Sequence, residues 1–315
     1  MKKLLNRIIC GDCIEVLDKV EKPFADLIFA DPPFNIGYKY DKYNDKVKSK
    51  NYITWTKDWM AVCKKVLKPH GSFYIAIGDE YAANVKVIAD EIGLFMRNWL
   101  IWHYTFGQQM KKKFARSHTH IFYFVSDKSN FTFNDHAVRV PSDRQLLYND
   151  KRANPAGKMP DDVWSQYPRV CGTFKERTGW HPCQMPESLL KRIIAVSSNP
   201  GDCVLDPFSG SGTTAVTAAQ SGRNYVGVEI SKTYVEKAKK RLADLKNQKP
   251  GNLLLKPTEL SELKRLLSDM ESPAEKIAED KKLLELFTNQ FSVRMNNQKR
   301  YRAEEIVTAL KDLAD

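Results

Sequence analysis

The sequence predicts an α/β fold, a doubly wound and mostly parallel sheet with an inserted variable region and a small helical C-terminal extension. Three observations predict it. Short apolar runs alternate with amphipathic segments from Asn6 to about residue 245, the pattern of strands covered on both faces by helices. Two of those runs, "LIFA" and "CVL", lead straight into an acid and a proline. Proline fixes φ and donates no backbone hydrogen bond, so each strand must stop at a stiff turn. Between residues 134 and 178 the alternation dissolves, and afterwards it resumes.

The elements follow in order. "NRIIC" is a short strand that meets Gly11-Asp12, and "ADLIFA" is the next. Residues 52–67 place Ile53, Trp59, Met60, Cys63, Val66 and Leu67 at helical spacing. "PHGSFYIAIGD" is a turn and a buried strand, and "EYAANVKVIADEIG" a helix ended by Gly93. "RNWLIWHYT" and "HTHIFYFVS" are aromatic-rich strands. The stretch 134–178 is too long for an ordinary connection and is read as a functional insertion. Then come the helix "PESLLKRIIAVSS", the strand "DCVLDPF", the helix "TTAVTAAQSG" ended by Gly222, the strand "NYVGVEI" and the helix "KTYVEKAKKRLADL". The linker 246–251 closes a body of residues 1–250, and residues 251–315 read as two or three amphipathic helices.

The chain has 315 residues, 42% of them hydrophobic, enough for one large domain or two ordinary ones. No apolar run is long enough to span a membrane, and the charged N-terminus lacks the apolar stretch of a signal peptide. Six scattered cysteines read as reduced thiols in a cytoplasmic protein. Cys10 and Cys13 lack a second pair, and Cys171, His181 and Cys183 are loosely spaced, so no metal is expected. Lys and Arg outnumber Asp and Glu by 50 to 38, a net charge of +12 that suits a polyanionic partner. Residues 252–315 hold 11 basic and 12 acidic side chains, so the excess lies in the body. Lys111, Lys112, Lys113 and Arg116 form a local cluster, read either as a solvated loop or as a phosphate contact.

Two stretches carry chemistry. "VLDPFSGSGTTAVTAA" is a strand, a turn with Gly210 and Gly212, and a small-residue helix whose free N–H groups favour an anionic ligand group. Glu229 ends the following strand, where an acid can accept hydrogen bonds from both ribose hydroxyls. The glycine spacing fits neither a P-loop nor GxGxxG. It fits a single nucleoside with a carboxylate-bearing tail, the shape of S-adenosylmethionine. The second stretch is Asp31-Pro32-Pro33-Phe34. An exocyclic amine on a nucleobase is a poor nucleophile because its lone pair is delocalised into the ring. Two acceptors, the Asp31 carboxylate and the Pro32 carbonyl, can draw its hydrogens out and localise that pair. Pro33 stiffens the turn, and Phe34 offers a flat face for an extruded base.

"DPPF" together with "DPFSGSGTT" resembles the DNA amino-methyltransferases, and the catalytic-before-cofactor order resembles their β group. The resemblance covers roughly residues 6–245. It implies a Rossmann-like methyltransferase sheet of seven strands, S-adenosylmethionine as cofactor, double-stranded DNA as substrate and the 134–178 region as target reader. It places Asp12 and Cys13 near the adenine of the cofactor. Asp206, Phe208, Ser209, Gly210, Gly212, Thr213 and Thr214 would surround the methionine portion, with Glu229 on the ribose. "HPCQMP" resembles a segment usually written HPTQKP; Met185 here replaces the lysine. Aspartate rather than serine before Pro-Pro-Phe favours adenine N6 over cytosine N4. A homodimer and a companion restriction endonuclease for the same site are further expectations of the resemblance.

Rival readings are a protein glutamine methyltransferase, disfavoured by Asp31 in place of asparagine, and a non-catalytic DNA-binding module, disfavoured by the intact motifs. Trp99, Trp102, Tyr104 and Phe106 are expected to pack a core more than to stack on bases. His118 and His120 share one strand face and read as structural or phosphate-facing. In the variable region Arg139, Arg144, Lys151, Arg152, Lys158, Arg169, Lys175 and Arg177 are candidates for reading base edges. The basic stretch Asn296–Arg302 reads as a solvated helix face or a contact to DNA or a second subunit.

Overall fold

The computed structural model describes residues 4–108, 111–148, 150–174, 176–247, 255–270, 272–295 and 301–314. Lys175 and Asn296–Arg300 therefore lie outside the described residues, as does most of the 246–251 linker. The elements are β1 (Arg7–Cys10), α1 (Cys13–Asp18), β2 (Ala25–Ala30), α2 (Ser49–Val66), β3 (Leu67–Ile77), α3 (Asp79–Glu91), β4 (Phe95–Gln108), β5 (Arg116–Val125), α4 (Asp143–Leu146), β6 (Val163–Trp164), α5 (Glu187–Ser197), β7 (Cys203–Asp206), α6 (Thr213–Gln220), β8 (Asn224–Glu229), α7 (Lys232–Asn247), α8 (Pro257–Asp269), α9 (Ala274–Glu279), α10 (Lys281–Arg294) and α11 (Ala303–Ala314).

One sheet runs β1-β8-β7-β2-β3-β5-β4-β6. It is parallel from β1 to β3, and β5 runs against both of its neighbours. The resemblance implied seven strands, and the described residues make eight. The additional one is the two-residue β6 of the variable region, which pairs with Ile101 and Trp102 at the sheet edge.

The period-two alternation of β2 sorts its side chains between two cores. Ile28 and Ala30 pack with Trp59, Met60 and Val85 under α2 and α3. Leu27 and Phe29 pack with Ile193, Val216 and Ala238 under α5, α6 and α7. Thus β2 leads to a helix on one face of the sheet and its neighbour β7 leads to a helix on the other. The crevice beyond the carboxyl ends of such a pair is where open α/β sheets bind ligands.

Trp102 and Tyr104 are buried in the second core, as expected from the sequence, whereas Trp99 is 38% exposed. Four helices, not two or three, follow Leu255 among the described residues, around Leu263, Phe287, Phe291 and Ile306. The additional boundary carries no glycine or proline. Asp280 closes α9, and its carboxylate caps α10 by accepting from the Lys282 and Leu283 amides at 2.9 and 3.0 Å.

Candidate active site

Asp31 follows the last residue of β2, and Asp206 is the last residue of β7. Ile28 pairs with Leu205, so the two strands deliver both acids to one edge of the sheet. Two openings meet there. The first is a cavity of about 120 Å³. Asp12, Cys13, Asp206, Phe208, Ser209, Gly210, Thr213, Thr214 and Glu229, nine of the ten residues expected from the sequence to hold a cofactor, line it. The tenth, Gly212, starts α6 in the left-handed region at φ 74°, and a Cβ there would come within 2.8 Å of the Ala238 Cβ. The second opening is lined by Pro32, Phe34, Tyr38, Tyr104, Lys113 and Arg169, among others. Asp31, Tyr40, Cys183 and Met185 border both.

The catalytic stretch is held from behind. Tyr52 is buried and donates to the Pro33 carbonyl at 2.6 Å. Asn35 sits at φ 59°, and its side-chain amide donates to the Val47 carbonyl and the Tyr81 hydroxyl. The buried Asp45 carboxylate accepts from the Asn35, Ile36 and Tyr38 amides at 2.6, 3.2 and 2.9 Å. Phe34 lies over Gly78, where a Cβ would come within 3.4 Å of the ring. No donor among the described residues bonds the Asp31 carboxylate, which is left facing the two openings. Burial, and next the charge of Asp206, push its pKa up to about 8. Burial raises Asp206 to about 7, against hydrogen bonds from Thr214 and the Phe208 amide.

The glycine turn is equally constrained. Gly210 has φ 46°, and an added Cβ would lie 2.7 Å from the His181 Nε2. His181 is thus pressed onto the turn, and burial lowers its pKa to about 4, so it is neutral at pH 7. Glu229 accepts from the Gly210 amide at 2.8 Å and the Ser231 amide at 2.8 Å. Each of its oxygens keeps a further lone pair. Arg241 braces the turn from outside, donating to the Ser211 carbonyl, the Thr213 hydroxyl and Glu187.

The first opening fits a nucleoside with an anionic tail. Helix α6 presents an N-terminus with no side-chain cap. Ser209 Oγ is buried at the wall without a hydrogen-bond partner. Met185, where the resemblance has lysine, is a buried thioether between the openings, so no charge comes from that position.

The chain matches the DNA methylase family model over residues 25–240. The chain belongs to that family. A type II methyltransferase, M.HpaI of Haemophilus parainfluenzae, is 37% identical over 238 residues, covering 75% of this chain and 74% of the relative. The DNA adenine methyltransferase YhdJ of Escherichia coli is 39% identical over 277 residues, covering 81% and 92%. Among solved structures, the M1.HpyAVI complex with S-adenosylmethionine has a TM-score of 0.55 at 23% identity, covering 75% of this chain and 98% of that one. The cytosine-N4-specific PvuII DNA methyltransferase has a TM-score of 0.56 at 19% identity, covering 76% and 91%. These last two show the fold. This member of the DNA methylase family is a DNA amino-methyltransferase that depends on S-adenosylmethionine.

Tyr40, Asp41, Trp55 and Tyr234 are among the residues of the site not singled out from the sequence. Tyr40 and Asp41 come from the loop after Phe34, Trp55 from α2 and Tyr234 from α7. Asp41 accepts from the Ser231 hydroxyl at 2.5 Å, closing the loop against β8. Tyr234 packs on His181 at 4.9 Å between ring centroids. The aromatic spacing "YKYDKY" was a usable signal for the loop; Trp55 and Tyr234 sit at ordinary helix positions and gave none. Lys111, Lys112 and Lys113 are exposed between β4 and β5, and Lys113 lines the second opening. Arg116 differs from them, because Asp79 and Glu80 engage its guanidinium at 3.0 and 3.4 Å. His120 accepts from the Trp99 indole N–H at 2.9 Å, which makes it a strand-face partner.

Proposed function

We propose that this methyltransferase acts on the N6 amine of adenine at a specific site in double-stranded DNA, after extruding the base from the helix. The observation that carries the reading is the place of Asp31, an unpartnered acid where an opening shaped for a nucleoside cofactor meets one bordered by aromatic and basic side chains. The extruded adenine enters the second opening and lies on Phe34. Its N6–H groups donate to Asp31 and to the Pro32 carbonyl, a direction fixed by the Tyr52 bond to the next residue. S-adenosylmethionine supplies an electrophilic methyl group on a sulfonium. The lone pair, drawn out of the ring by the two acceptors, would attack the methyl carbon in line as the methyl–sulfur bond breaks, releasing the neutral thioether, and the methylated amine then gives up one proton; positioning supplies most of the rate. Glu229 holds the ribose, and the α6 N-terminus takes the carboxylate tail.

Adenine rather than cytosine is supported by the aspartate at position 31 and by the similarity to a DNA adenine methyltransferase. The test is incubation with labelled S-adenosylmethionine and unmethylated bacterial DNA, followed by nucleoside mass spectrometry. N6-methyladenine is expected. N4-methylcytosine instead would overturn the base assignment and leave the geometry standing, and no methylated base would overturn the reading.

A further inference from the structure

Helices α8–α11 have a core of their own, and the site described above uses none of their residues. Their contacts with the rest of the chain fall on the variable region and on α5 and α6. At the centre is Asp269, the last residue of α8, whose side chain is fully buried. It accepts from the Tyr167 hydroxyl at 2.6 Å and pairs with Arg192 of α5 at 2.9 Å and Arg294 of α10 at 2.7 Å. The Arg192 guanidinium lies 5.3 and 5.1 Å from the ring centroids of Trp164 and Tyr167. Arg265, also buried, donates to the Ala137 carbonyl and pairs with Glu262 at 2.6 Å. Arg294 donates to the Arg139 carbonyl at 3.0 Å. Asn289 and Gln290 of α10 donate to the carbonyls of Pro155 and Ala156 at 3.1 and 3.3 Å.

The C-terminal helices therefore grip the variable region near residues 137–139, 155–156 and 167. Desolvation offsets most of the attraction in a buried ion cluster, so such a cluster adds little net stability. Its members are nevertheless costly to unpair, which selects one arrangement. One grip point, Tyr167, is joined to the DNA-side opening through its neighbours. Tyr167 is two residues before Arg169, which lines that opening and lies 5.1 Å over the Tyr104 ring. Tyr167 is also tied on its other side, since its carbonyl accepts from the Trp102 indole at 2.6 Å.

We propose that the C-terminal helical segment is a positioning clamp for the DNA-reading region, setting the place of Arg169 through Tyr167 and Asp269. The proposal rests on the reading of residues 134–178 as the target reader. Tyr167 and Asp269 are positioning residues, distant from the methyl-transfer chemistry.

The test first defines the methylated site by sequencing bacterial DNA treated with the wild-type enzyme. Tyr167→Phe and Asn289→Ala are then compared with wild type on that site and on duplexes altered at one base pair. Circular dichroism confirms that each variant is folded at the assay temperature. Tyr167→Phe is expected to raise the DNA KM by about tenfold, the scale of one lost hydrogen bond to a charged group. It should also lower the cognate-to-altered ratio of kcat/KM, with kcat and the S-adenosylmethionine Kd unchanged. Asn289→Ala should shift the same two quantities less. Folded variants with wild-type DNA KM and selectivity would overturn the clamp. Arg169→Ala separates the two readings. If it alters selectivity while the clamp variants do not, only the clamp falls; if it leaves selectivity intact, the target-reader assignment falls with the clamp.

Discussion

Asp31 is half-buried where the two openings meet, and no cation among the described residues pairs with it. Its raised pKa follows, and with it a pH dependence of definite sign. The proposed acceptor is the ionised form, so kcat/KM, which reports the free enzyme, should rise with pH through about 8. Asp206→Asn removes a neighbouring charge that raises Asp31, so the rise should move to lower pH; a rise that stays in place would remove Asp206 as a cause. Asp31→Ala should lower methyl transfer by roughly 10²–10⁴-fold, the scale of a lost proton acceptor, and calorimetry should show S-adenosylmethionine still bound. A fully active variant would end the proposed mechanism. At this scale the sequence was informative where chemistry is local. Asp31 and Phe34 stand in one four-residue word, and Gly210, Gly212 and Thr213 in another. Tyr40, Trp55 and Tyr234 reach the site only because three separate elements converge, and no spacing within the chain encodes that convergence.

Among elements, the turn before α6 shows why two glycines of similar φ differ in function. Gly210 and Gly222 both lie in the left-handed region, at φ 46° and 72°. A side chain there costs about 1–2 kcal/mol of strain at either position. At Gly222 an added Cβ meets nothing, whereas at Gly210 it would strike His181. Gly222→Ala should lower stability and leave cofactor affinity unchanged. Gly210→Ala should displace the imidazole and weaken S-adenosylmethionine binding by about tenfold, roughly 1.4 kcal/mol. Titration calorimetry on the two variants checks the contrast. The β4–β5 connection has a different role. Lys111, Lys112 and Lys113 are exposed and Arg116 is paired, so the lysines are the cations free to meet phosphates. Replacing all three with glutamine should weaken DNA binding for every sequence, with the slope of log K against log salt falling by up to about 0.9 per lost contact. Loss confined to the methylated site would mark them as base readers instead. The element pattern was legible from strand and helix periodicity through α7, except for the short helices α1 and α4, which are too brief to show a period. It failed at α9 and α10, where a single aspartate serves both helix ends, and at β6, whose two residues are too few to show a period.

Over the whole molecule, Asp269 on one side and Asp31 and Asp206 on the other affect stability in opposite senses. Three arginines hold Asp269 at about 2, below its ordinary 3.8. Its contribution is therefore present above about pH 4 and is lost as pH falls through 2. Asp31 and Asp206 are raised from 3.8 to about 8 and about 7. The folded state prefers them protonated, so their contribution is full below about pH 4 and is lost as pH rises through 7 to 8. Buried His181, lowered from 6.5 to about 4, favours unfolding as pH falls through that window. The cofactor-free protein should accordingly be most stable in weak acid and should lose stability towards pH 9. Asp31→Asn keeps the shape and removes the charge, so it should raise Tm much more at pH 9 than at pH 5. About 1 kcal/mol moves Tm by roughly 2–4 °C for a protein approaching this size, so a gain of a few degrees is expected. Differential scanning calorimetry of the two proteins at both pH values measures it. An equal shift at pH 5 and pH 9 would mean that packing, and not the charge of Asp31, sets the difference.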